Sequence, residues 1–127
     1  MTMPSERTRA LRWAHEFLQE VRDDASVDPS ARARAAELLY HFPLPVTVLD
    51  WIRMDVQCIP PEAAQAIEGT GELLSQILRS PACSGDLRRS ALFTSRHFPV
   101  PEEAHRWTVG VRCFSIHQWL LSEDHYK

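Results

Sequence analysis

Apolar residues near the start of the chain recur at Leu11, Ala14, Leu18 and Val21, steps of three, four and three that mark one face of a helix. Pro4-Ser5-Glu6 precedes this stripe with a capping hydroxyl and an acid, so the first helix is expected from about Ser5 to Asp24. A second stripe follows at Ala31, Ala35, Leu38 and Phe42, opened by Asp28 as N-cap and Pro29 as first helical residue. Fifty-six residues further on the pattern returns. Ile67, Thr70, Leu74 and Ile77 repeat the first stripe with one Thr in it, and Leu87, Ala91, Thr94 and Phe98 repeat the second. The corresponding helices are expected from Pro61 to Arg79, and from Ser84 or Asp86 to near His97. Gly69 and Gly71 each weaken the third of these four helices by about 1 kcal/mol relative to Ala, so packing must hold it.

Identity at the same offset supports the periodicity. Pairing segment 4–53 with segment 60–109 gives 12 identical columns of 50, spread from Pro4/Pro60 to Trp51/Trp107. The densest group is YHFPLP at 40–45 against RHFPVP at 96–101. Proline disfavours helical geometry at the residue before it, so the helix must stop at Phe42 and at Phe98. His41 and His97 then lie in a last turn, where a ring donor satisfies free carbonyls. These residues, with Pro43 and Pro99, read as structural anchors of the repeat. A short helix containing Val48, Leu49, Ile52 and Val56 is expected after Pro45. Pro101-Glu102-Glu103 starts its counterpart, although WTVGVRCF at 107–114 leaves a strand open there. IHQWLL at 116–121 is a final amphipathic stretch with no partner in the first unit.

Two copies are too few for an open solenoid. The expected fold is therefore all-α: a small helical bundle of two tandem helical-hairpin repeats, about 4–53 and 60–109, related by a pseudo-twofold and closed by a C-terminal helix. One domain spanning 1–127 is the expected organisation, as a monomer or a homodimer.

Composition narrows the function classes. The chain is 44% apolar and 24% charged with a formal net charge of −3, ordinary for a globular protein. Basic and acidic residues are interleaved in both halves, so electrostatics gives no support for nucleic acid or an anionic membrane as partner. MTMPSERTRALR lacks the apolar run of a signal peptide, and no stretch approaches a membrane span, which makes the cytoplasm the expected location. Cys58, Cys83 and Cys113 are odd in number and lack CxxC spacing, as thiols in a reducing compartment do.

The opening MTMPSERTRALRWAHEFLQEV, together with ARARAAELLYHFP, resembles a family of small uncharacterised bacterial proteins whose N-termini read MTMPxERTRA and which carry an LLRHFP-like segment downstream. The resemblance covers residues 1–45. It implies a bacterial, cytoplasmic, helical protein, and it brings no activity and no functional residue to this chain.

No dinucleotide fingerprint, phosphate loop or zinc spacing is present in the sequence. A metal- or thiol-dependent enzyme would have to be built on Cys113 and His117, and the repeat places Gln57 where Cys113 has its counterpart. Helix-turn-helix recognition would fall on 46–56 or 102–112, where few basic side chains are offered to bases or phosphates. The leading expectation is a non-enzymatic bacterial regulator or adaptor that binds another protein, such as an antiactivator, an inhibitor or an immunity-like modulator, and needs no cofactor. A small DNA-binding transcriptional regulator and the Cys113/His117 enzyme are the alternatives. Trp and Arg dominate binding hot spots, and the candidate partner-binding residues are Arg9, Trp13, Phe17, Phe114 and Trp119.

Overall fold

A computed structural model describes residues 4–54, 58–108 and 116–121 of the chain. Every regular element among them is helical: α1 (Pro4–Asp23), α2 (Pro29–His41), α3 (Pro45–Arg53), α4 (Pro61–Leu78), α5 (Gly85–Ser95), α6 (Pro101–Thr108) and α7 (Ile116–Leu121). None of these helices is long and apolar enough to cross a membrane. Of 107–114, the stretch of the strand alternative, Trp107 and Thr108 belong to α6, and 109–114, with Cys113 and Phe114, lie outside the described residues, as does the side chain of His117.

Helix ends follow local chemistry. The Asp28 carboxylate accepts from the backbone N–H groups of Ser30 and Ala31, and Pro29 occupies the first turn where its missing N–H costs nothing. The Ser84 hydroxyl oxygen accepts from the Leu87 N–H at 3.1 Å and does the same for α5. Helix α2 ends at His41 with Phe42 as an extended C-cap, as the following proline requires. Helix α5 ends earlier than expected, at Ser95, so His97 lies beyond its last turn. Its Nε2 is instead 3.0 Å from the Glu6 carboxylate on α1.

Four helices close a ring in which α1 packs on α2, α2 on α4, α4 on α5 and α5 back on α1. The contacts between units are reciprocal, since α1·α5 becomes α4·α2 when each number is moved by 56. All eight residues of the two predicted stripes in 1–56 are buried, and so are their eight counterparts. The correspondence reaches further: every buried residue from Ser5 to Ile52 is matched by a buried residue 56 positions on. Phe42 and Phe98 are in the interior, and Pro43 and Pro99 are buried beside them. Burying each such aromatic or aliphatic side chain contributes about 1.5–3 kcal/mol.

Side-chain volume is traded across the two equivalent crossings. A Cβ on Gly69 would lie 2.7 Å from Arg34 Nη2 and 2.7 Å from Leu38 Cδ2, so these two side chains of α2 lie where they do over α4 because this position has no side chain. At the α1–α5 crossing Trp13 stands in place of Gly69, and it shares a small cavity with Ser90 and Thr94, which stand in place of Arg34 and Leu38. Large faces small both times, with the roles exchanged. Likewise a Cβ on Gly71 would only touch the Phe98 ring at 3.6 Å, while His15 at the equivalent place lies 6.3 Å from the Phe42 centroid. Thr70, fully buried on the stripe of α4, donates its hydroxyl to the Ala66 carbonyl at 2.6 Å and leaves no polar group unmet.

The remaining helices break the equivalence. Helix α6 packs along α4, whereas α3 touches α1 more sparsely and is also held by α7. Trp119 of α7 meets Trp107 of α6 edge-on, with centroids 5.6 Å apart, and the Arg7 guanidinium lies 6.0 Å from the Trp119 ring. Helix α7 therefore sits among α1, α3 and α6. Phe17 and Trp119, expected as partner-binding residues, are in the interior at 0% and 8% exposure, where neither offers a face to another molecule.

Candidate partner-binding surface

Where α3 stands off from α1, a groove of about 360 Å³ opens. Its two walls are helix stripes of the same spacing. From α1 come Ser5, Thr8, Arg9 and Arg12, and from α3 come Pro45, Val48, Leu49 and Ile52, with Leu11 and Pro43 completing the lining. Steps of three, four and seven put each set on one helix face. One wall is thus polar and basic and the other is aliphatic. Leu49 is 43% exposed, and Leu44 and Val46, also large and apolar, are more than half exposed nearby in sequence. Among the described residues Arg9 and Arg12 make no ion pair, and none of the ten lining residues is acidic.

The equivalent stripes of the second unit do not part. Ala64 replaces Thr8 and Ala104 replaces Val48, both are buried, and the smaller side chains let α6 lie down on α4. Glu68 replaces Arg12 and His105 replaces Leu49, and His105 Nδ1 is 3.0 Å from the Glu68 carboxylate. What is a polar closure in one half is an open apolar wall in the other.

A second recess adjoins the groove through Arg9, which lines both. It is formed by Glu6, Arg9, Trp13, Phe93, Arg96 and His97. Two cation–π contacts frame it, the Arg9 guanidinium 5.7 Å from the Trp13 centroid and the Arg96 guanidinium 5.0 Å from that of Phe93. Below Trp13, burial raises the Glu20 carboxyl above its ordinary range, opposed by the Ser90 hydroxyl at 3.4 Å. The equivalent crossing of the other half is closed with charge, where Arg34 is 2.7 Å from Glu37 and 3.9 Å from Glu72.

Of the residues singled out from the sequence, Arg9 and Trp13 are brought together at this surface, and Phe114 lies outside the described residues. Phe93, Arg96, Arg12 and the α3 stripe were missed. A signal for α3 was present: LPVTVLDWI (44–52) is apolar on more sides than one neighbour can cover, the mark of a helix with a second face to fill. Among the described residues no group of three or more His, Cys, Asp or Glu side chains is gathered as a metal ion would need. No family model matches the chain, and no curated protein or solved structure matches it.

Proposed function

We propose that the chain is a non-enzymatic bacterial regulator or adaptor of the cytoplasm that acts by binding another protein, with the α1–α3 groove and the adjoining Arg9/Trp13 recess as its contact surface. One observation carries the reading. The two halves bury equivalent residues everywhere along the ring, yet one half seals its outer groove with small and paired residues while the other keeps it apolar, with Leu49 exposed, and rimmed by arginine. Exposed aliphatic side chains beside Trp and Arg have the composition of binding hot spots. Immobilised wild-type chain, incubated with bacterial lysate at physiological salt, is expected to retain a stoichiometric partner protein. Leu49→Glu, which puts a charge on an already exposed site, is expected to lose that partner while keeping the wild-type melting temperature. Absence of any stoichiometric partner overturns the proposal.

A further inference from the structure

We propose that the α1–α3 groove takes an acidic amphipathic helix of the partner protein, with the apolar face of that helix against α3 and its carboxylates against α1; this deepens the binding reading above and rests on it. Three features select the occupant. First, the walls differ in kind: Pro45, Leu49 and the part-buried Ile52 offer aliphatic surface over a buried Val48, while the other wall is made by Ser5, Thr8, Arg9 and Arg12 with their hydroxyls and two cations. A uniformly apolar ligand would leave those cations desolvated, and a uniformly polar one would leave the aliphatic wall wet. An amphipathic segment satisfies both.

Second, the charge is one-sided. The lining carries two guanidinium groups and no carboxylate, on a chain whose net charge is −3. The first turn of α3 adds to this, because its N-cap Leu44 supplies no capping side chain at the positive end of the helix dipole. The complement is an acidic stretch.

Third, the length fits a helix. The α1 wall runs from Ser5 to Arg12 and the α3 wall from Pro45 to Ile52, about 10 Å each at the helical rise. Anchors at i, i+3 or i+4, and i+7 of a docked helix span the same distance. A strand would need a sheet edge to pair with, and no described element supplies one. A polyproline segment prefers an aromatic-lined groove, and no aromatic side chain lines this one.

The probe is a fluorescein-labelled synthetic peptide of about 14 residues, with Leu at three anchor positions and Glu on the opposite face. A second peptide has Lys in place of Glu, and a third has the acidic composition in scrambled order. Polarisation titrations at low salt are expected to give binding of the acidic peptide about tenfold tighter than either control, weakening as salt rises. Amide shifts in the labelled protein are expected at Leu11, Val48, Leu49 and Ile52. Arg12→Glu copies the residue found at the equivalent place on α4 and leaves Arg9 balanced by one carboxylate, so it is expected to abolish the preference for the acidic peptide. Preference of wild type for the basic peptide, or shifts confined to other faces, overturns the acidic-helix occupant; if Leu49→Glu still abolishes partner capture, the binding-module reading survives that result. Sedimentation showing a dimer of the wild-type chain that Leu49→Glu dissolves makes a second copy the occupant and overturns the proposal as well.

Discussion

The α1–α3 pair and the α4–α6 pair occupy equivalent positions at the 56-residue offset, and a handful of differing side chains accompanies a large difference in how they pack. Ala64 and Ala104 let the second pair close, and the His105–Glu68 contact at 3.0 Å fastens its edge. Thr8 and Val48 hold the first pair apart, Arg12 has Leu49 where an acid would be needed, and α7 takes up part of the face of α3. A shared interior thus tolerates divergence at its rim, because the rim contributes little to folding and is free to carry a surface.

The largest effect expected tests the shared interior. Phe42→Ala and Phe98→Ala should each destabilise by about 3–5 kcal/mol in chemical denaturation, the usual cost of emptying an aromatic core site. A large loss at one and little at the other would break the equivalence of the halves.

Next come the volume exchanges. Gly69→Ala forces Leu38 and Arg34 aside, an overpacking cost of about 1–3 kcal/mol offset by about 1 kcal/mol of helix propensity, so a net loss in melting temperature is expected. Gly71→Ala meets only ordinary contact with Phe98 and should gain up to about 1 kcal/mol. Opposite signs two residues apart would locate the close approach of α2 and α4 at Gly69 alone.

The caps differ in chemistry and should separate with pH. Ser84→Ala is expected to cost about 1 kcal/mol at any pH. Asp28 is held below its ordinary range, chiefly by the Ser30 hydroxyl and then by the Ser30 and Ala31 N–H groups. A carboxylate with a lowered folded pKa stabilises above its unfolded value and loses that contribution as pH falls through the folded one. The stability difference between wild type and Asp28→Ala should therefore shrink in acid, while that for Ser84→Ala persists. Smallest of all, Glu68→Arg with His105→Leu transplants the first-half residues onto α4 and α6; for an exposed pair a change within about 1 kcal/mol is expected in the same denaturation measurement.

The sequence made the ring legible because burial there is enforced by period. Leu11, Ala14, Leu18 and Val21 can share only one side of a helix, and the same holds 56 residues later. Phe17 was misplaced because α1 is covered by α2, α5, α3 and α7, a wider cover than a single stripe implies. Trp13 against Gly69 was visible as a mismatch in the alignment. Its explanation needed the facing residues Ser90, Thr94, Arg34 and Leu38, which are distant in sequence. The groove was hidden for a related reason: whether α3 lies flat or stands off depends on Ala64, Ala104 and α7, none of which α3 itself specifies. His97 escaped its predicted turn because α5 stops at Ser95 and Glu6 lies within reach.

The closed ring also sets an order of events during synthesis. Helix α1 precedes α5 and α7 in the chain, so during synthesis its apolar side is completed only once both have followed it. Until then Leu18, Val21 and Phe17 have only α2 and α3 to shelter them, a window in which a nascent half could dock with a half from a neighbouring chain. Because α1·α5 and α2·α4 pair the same positions at the 56-residue offset, an exchanged dimer would bring equivalent stripes together, and tethering both halves in one polypeptide favours the intramolecular pairing.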